Sequence, residues 1–174
     1  MANNLFIYYS RTGENYVNGG VKNLPKGNTE IVAEFAKKAV GGDLFQIETV
    51  KTYAADYYEC IDEAKVELRE KQRPELKKSL TQADIDKYEN IFVLGPCWWG
   101  TYPMAMYTQL EKVDFTGKNV FLCMTHEGSG MGSSEREMAK IMKGAKFGKS
   151  LAVHGADASG SESSVANWAK SCVG

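Results

Sequence analysis

The sequence predicts an α/β fold, a three-layer α/β/α sandwich around a five-stranded parallel sheet. Five short apolar runs punctuate the chain, at residues 5–9, 44–47, 91–94, 120–124 and 151–153. Segments with helical spacing lie between them, so strand and helix alternate along the chain. Such alternation favours right-handed crossovers, which lay helices on both faces of one sheet.

Each element has its own signal. The runs at 5–9, 91–94 and 120–124 are continuously apolar, as expected of parallel strands covered on both faces. Leu44-Phe45-Gln46-Ile47-Glu48 begins to alternate and suits a sheet edge. Ile31, Phe35 and Ala39 recur every four residues after Asn28-Thr29, which reads as a helix N-cap region. Tyr57, Ile61, Ala64 and Leu68 form a stripe on a charged segment, and Arg73-Pro74 ends that helix. The mixed-sign stretch 56–89 is a solvated helix followed by a loop. Met106, Leu110 and Val113 mark another helix, and Val165, Trp168, Ala169 and Cys172 close the chain.

Composition narrows the function. The 174 residues fit one domain with a core of its own. Twenty-one basic against 22 acidic residues leave a net charge of −1, which argues against nucleic acid or an anionic membrane as a partner. The apolar stretch after Asn4 is too short for a signal-peptide core or a membrane span. Cys60, Cys97, Cys123 and Cys172 lie far apart without a C-x-x-C pair, so neither zinc nor a disulfide framework is expected. Cys123 reads as a buried free thiol, and the expected compartment is the cytoplasm.

Three loops are unusual, and they follow the first, third and fourth apolar runs. In a doubly wound sheet of order 2-1-3-4-5 those strands are neighbours, and ligands bind at their carboxyl ends. The first loop is Ser10-Arg11-Thr12-Gly13, followed by a polar passage to Gly27-Asn28-Thr29 and a helix. Hydroxyls and free N–H groups at a helix start make an anion site without a lysine. Asn28-Thr29 alone is a turn and an N-cap; joined to Ser10-x-Thr12-Gly13 it is better read as a phosphate seat. The second loop is Gly95-Pro96-Cys97-Trp98-Trp99-Gly100-Thr101-Tyr102-Pro103. Adjacent tryptophans in such a loop cannot both enter the core, so at least one is a flat wall for a planar ligand. Cys97 has no evident base and is not expected to act as a nucleophile. The third loop, Thr125-His126-Glu127-Gly128-Ser129-Gly130-Met131-Gly132, offers backbone donors to a heterocycle. Ser133 stands where G-x-G-x-x-G needs its last glycine, so no dinucleotide fingerprint is present. His126 is equally well read as a hydrogen-bonded loop residue or a cofactor contact.

At these loops the chain resembles the flavodoxin family. Flavodoxin with FMN is itself the reference example of the 2-1-3-4-5 order. Ser10-Arg11-Thr12-Gly13 with Asn28-Thr29 is similar to the flavodoxin phosphate loop, split here by residues 14–27. The Trp-Trp-Gly-Thr and Thr-His-Glu-Gly-Ser-Gly loops are similar to those of a group of bacterial flavodoxin-like proteins. The resemblance spans nearly the whole chain, and implies one FMN-binding domain over residues 1–174. It implies that Ser10, Thr12, Asn28 and Thr29 hold the phosphate, with Arg11 nearby. Pro96, Cys97, Trp98, Trp99 and Gly100 would line one ring face and the N5 edge, where a backbone carbonyl near Trp99-Gly100 would accept a hydrogen bond. Thr125, His126, Glu127, Gly128, Ser129 and Gly130 would meet the pyrimidine side. No catalytic residue and no metal ligand is implied.

The function implied is low-potential electron transfer by a monomer, between a flavin or iron–sulfur reductase and an acceptor enzyme. The alternative is an FMN-dependent NAD(P)H:quinone oxidoreductase on the same fold; flavodoxins tend to be more acidic than this chain. A binding module without flavin is a third class, disfavoured by the intact loop set. The insertion 14–27 has turn composition throughout. It is either a solvent-exposed excursion or a flap near the ligand with Tyr16 in contact.

Overall fold

Parallel pairing sets the architecture of this computed structural model, which describes residues 3–174. The central sheet contains β1 (Asn4–Tyr8), β4 (Asp43–Gln46), β5 (Asn90–Pro96), β6 (Asn119–His126), β7 (Lys146–Phe147) and β8 (Leu151–His154). Its order is β4-β1-β5-β6, and β6 then pairs with both β7 and β8. The expected order of five positions holds, with the fifth split in two. β7 takes the start of β6 at Asn119 and Val120, and β8 takes its end from Cys123 to His126. β4 pairs only with β1, as the alternating run at 44–48 suggested for an edge.

Period-two alternation sends neighbouring strand residues to opposite layers. Leu5 and Ile7 of β1, with Ile91 and Val93 of β5, join the layer of α2 (Tyr57–Arg69), α3 (Gln82–Asp86), α4 (Met104–Leu110) and α5 (Ser134–Ile141). Phe6 and Tyr8, with Phe92 and Leu94, join the layer of α1 (Asn28–Val40), α6 (Glu162–Val173) and a 3₁₀ helix (Gly155–Gly160). Burial of each such side chain contributes about 1.5–3 kcal/mol before entropy is counted. Phe92 anchors the second layer, stacked on Phe6 at 4.6 Å and edge-on to Trp168 at 5.4 Å. Cys123 is fully buried, and burial alone pushes its thiol pKa far up.

Several expectations need correction. Gly27, rather than Asn28-Thr29, caps α1, and the helix buries Val32, Ala33 and Ala36, with Ile31, Phe35 and Ala39 flanking them. α2 stops at Arg69, short of Arg73-Pro74, because the chain leaves the helix at Glu70 and Lys71 takes φ 53°. The stretch read as a loop holds α3, started by a reciprocal Thr81–Asp84 capping box. α5 carries too few apolar residues for the sequence to signal it: four of its eight residues are charged, and Met138 is the one large apolar side chain they bury.

The insertion is not turns throughout. β2 (Gly13–Val17) and β3 (Gly20–Leu24) form an antiparallel hairpin. Asn18 and Gly19 sit at its tip with φ 50° and 87°, the positive pair that a two-residue type I′ turn needs.

Candidate functional site

Because β1, β5 and β6 are parallel, the three unusual loops emerge at one edge of the sheet. They enclose a cavity of about 320 Å³ lined by Ser10, Arg11, Asn28 and Thr29 at one end. Pro96, Cys97, Trp98, Trp99 and Gly100 line it from the second loop, and Thr125, His126, Glu127 and Ser129 from the third. Thirteen of the sixteen residues expected at the site therefore meet in one place.

The polar end is built by close approach of two segments. A Cβ on Gly27 would sit 2.1 Å from Ser10 Oγ and 2.6 Å from the Arg11 carbonyl, so only glycine lets α1 begin against this loop. Ser10 Oγ accepts the Glu30 N–H at 3.1 Å and so caps α1 from outside the helix. Thr29 and Thr125, both buried, share a hydroxyl–hydroxyl hydrogen bond of 2.8 Å that ties the first loop to the third. Two hydroxyls joined once keep one O–H free to donate elsewhere. The Arg11 guanidinium donates to the Glu14, Ala54 and Ala55 carbonyls, so it acts first as a brace between β2 and the loop before α2.

The apolar end is the tryptophan turn. The Trp98 N–H donates to the Thr101 carbonyl at 2.8 Å, while Trp99 and Gly100 between them take φ 58° and 88°. Positive φ at a tryptophan is rare strain, and strain of this kind gathers at functional sites. Trp98 stands edge-on to Tyr9 at 5.1 Å and to Tyr53 at 5.2 Å, which fixes its plane. Trp99 is half exposed and donates its Nε1–H to the Ile61 carbonyl of α2 at 2.8 Å. The Gly100 carbonyl accepts from both Ser133 N–H and Ser133 Oγ. It is therefore fixed, and of the two carbonyls in this turn only that of Trp99 is uncommitted to Ser133.

The third loop holds its own polar groups tightly. His126 Nδ1 accepts the Gly128 N–H at 2.9 Å, which places the proton of the neutral ring on Nε2. Burial lowers the His126 pKa, His154 lowers it further, and Glu127 partly offsets both. Glu127 Oε2 is a buried atom that finds no hydrogen-bond partner among the described residues, and it lies 3.4 Å from His154 Nε2.

Three expected contacts lie outside the cavity. Thr12 is exposed and faces the neighbouring cleft formed with residues 46–55, because the chain turns away at Gly13 into the hairpin. Gly128 and Gly130 stand beyond the lining, and the Gly128 N–H is already spent on His126. The cavity also gains residues outside the expected set: Asn15 and Tyr16 from β2, Tyr57, Ile61 and Ala64 from α2, and Gly155 after β8. The α2 residues were visible as a stripe, but a stripe does not say what it faces.

Comparisons place this geometry. A family model described as flavodoxin matches residues 24–172. That match begins after β1, the first loop and most of the hairpin, so at the level of sequence it is narrower than the resemblance read from the motifs. No curated protein is detectably similar in sequence. Among solved structures, a proposed flavoprotein from Bacteroides uniformis is 28% identical, with TM-score 0.76 over 97% of this chain and 98% of its own. A flavoprotein in complex with FMN from Lactobacillus acidophilus is 18% identical, with TM-score 0.65 over 87% and 93%. A proposed quinone reductase from Klebsiella pneumoniae is 12% identical, with TM-score 0.56 over 97% and 84%. The last two share the fold and say nothing more about this chain. With sheet order, loop placement and the family match in agreement, the chain belongs to the flavodoxin family.

Proposed function

We propose that this chain binds FMN and serves as a low-potential electron carrier. One observation carries the reading: a single cavity joins the N-terminal turn of α1, with Ser10 and Asn28, to a wall of Trp98 and Trp99. That is the polarity of FMN, a terminal phosphate at one end and a planar apolar ring at the other. The backbone N–H groups at the start of α1 suit the phosphate, since a helix N-terminus favours an anion. Trp98, held edge-on by Tyr9 and Tyr53, suits the ring face and excludes water from it. Bound there, the flavin would supply one-electron chemistry.

The residues around the ring favour low potential. Arg11 is the only lysine or arginine lining the cavity among the described residues, and backbone carbonyls already engage its guanidinium. The apolar tryptophan wall disfavours extra negative charge at the ring. His126, kept neutral by burial, offers Nε2–H as a donor without adding a cation. Among the described residues no helix is long and apolar enough to cross a membrane. Four unpaired cysteines support a cytoplasmic setting; the carrier reading would make redox proteins its partners.

Anaerobic stepwise reduction of the FMN-loaded protein tests this. Two resolved one-electron steps are expected. One concerted two-electron step, with oxidation of NAD(P)H by the purified protein, would replace the carrier with a quinone reductase. The near-neutral charge of −1 favours that second reading over an ordinary acidic carrier. Failure to retain FMN would leave only the fold.

A further inference from the structure

Apart from the α2 face, the hairpin is the part of the cavity wall that no strand of the central sheet carries. It leaves the polar end at Arg11, puts Asn15 and Tyr16 of β2 into the wall, and reaches the loop after β6 with its tip. There the Asn18 N–H donates to Glu127 Oε1, joining residues 109 apart in sequence. The hairpin thus straps the cavity from one side to the other. At its root Asn15 Nδ2 donates to the Arg11 and Gly13 carbonyls at 3.0 and 3.2 Å. Along its length Tyr16 rests on Tyr57, with ring centroids 6.0 Å apart. A two-stranded hairpin is marginal by itself in water, so these few contacts decide whether it lies against the cavity.

Glu127 is placed to be the clasp. Its Oε1 is committed to the hairpin tip, while its Oε2 is enclosed next to His154, whose Nδ1 lies 3.8 Å from Asp157. A Cβ on Gly155 would come within 2.7 Å of that same Oε2, so the carboxylate fills a space that only glycine leaves. Oε1 is thus bonded to the hairpin tip and Oε2 enclosed beside His154 and Gly155.

We propose that Glu127 is a positioning residue that acts on the cofactor through the hairpin, holding Tyr16 and Asn15 in the cavity wall. This rests on the FMN reading of the site. FMN dissociation constants for the wild type, Glu127→Ala, Glu127→Gln, Tyr16→Ala and the Glu127→Ala/Tyr16→Ala double variant test it. Loss of the clasp is expected to weaken FMN binding about tenfold, the scale of one hydrogen bond to a charged group. Glu127→Gln should restore most of that, because an amide oxygen accepts the same N–H. The double variant should bind nearly as well as Tyr16→Ala alone, since the second loss is already contained in the first. Losses that multiply, or a Glu127→Gln variant as weak as Glu127→Ala, would mean direct action on the flavin and overturn the proposal.

If Glu127→Ala fails to fold, an Asn18→Cys/Glu127→Cys disulfide answers instead. Oxidised protein should release FMN more slowly than reduced, and equal rates overturn the clasp. A wild type that binds no FMN would remove the functional reading alone. Hydrogen exchange of the β2 and β3 amides then decides: faster exchange in Glu127→Ala supports the clasp, and unchanged exchange overturns it.

Discussion

Two walls of the cavity are fastened differently. The wall made by the loops after β1, β5 and β6 inherits its position from the sheet. Its loops are tied to one another by Thr29 to Thr125, by the Cys97 N–H to the Thr125 carbonyl at 2.9 Å, and by Ser133 to Gly100. The hairpin wall is held by Arg11, Asn15, the buried Val17, one tyrosine pair and one carboxylate. Moving the first wall means disturbing the core, whereas moving the second means losing a few contacts worth about 1 kcal/mol each. On the FMN reading, the first wall would seat the phosphate and ring, and the second would add to affinity by slowing release.

The largest expected effect strikes the first wall at Gly27. In Gly27→Ala the new methyl meets the Arg11 carbonyl, a backbone atom that cannot rotate aside. The start of α1 must move away from Ser10, at a cost of about 1–3 kcal/mol for overpacking. Urea denaturation should show that loss, and FMN affinity should fall by more than about tenfold as the helix N-terminus leaves the phosphate seat. Normal FMN binding in a destabilised Gly27→Ala would mean that the polar end of the cavity does not hold the phosphate.

A smaller and different effect is expected at the hairpin tip. Asn18 and Gly19 both need positive φ, which costs an ordinary residue about 1–2 kcal/mol. Asn18→Ala/Gly19→Ala should therefore leave the global unfolding midpoint almost unchanged while speeding FMN release several-fold. Stopped-flow fluorescence and hydrogen exchange measure the two quantities separately. A large drop in global stability would mean that the hairpin is as integral as the sheet, and the contrast between the walls would fail.

The same contrast explains what could be read in advance. Strands buried on both faces leave continuous apolar runs, so β1, β5 and β6 and the loops at their ends were legible, as were Trp98 and Trp99. β2 and β3 were hidden because Gly13, Asn15, Gly20 and Asn23 carry turn composition inside a strand pair. Their one clear signal was Asn18-Gly19 between two legs of five residues, a strong short-range hairpin mark. Tyr57, Ile61 and Ala64 showed the right period, but a period identifies a face and never its partner. The approach of His154 to Glu127 had no local signature, since only the pairing of β8 with β6 brings them together.

The smallest expected effect is on pH dependence, and it again separates the walls. His126 belongs to the first wall, and its pKa is lowered mainly by burial, then by His154. The unfolded chain, with an ordinary histidine near pH 6.5, takes up the proton first as pH falls. Between that value and the lower folded one the unfolded state binds more protons, so stability declines with acidification across that window and levels off below it. His126→Asn, which keeps an acceptor for the Gly128 N–H, should flatten this part of the stability curve. The effect should be a small fraction of that of Gly27→Ala, because the ring is only partly buried. Hairpin amide exchange should stay level across the same window in both proteins once corrected for intrinsic rates. If it rises with acidification in the wild type and not in His126→Asn, the imidazole is working through the strap, and the two walls are coupled after all.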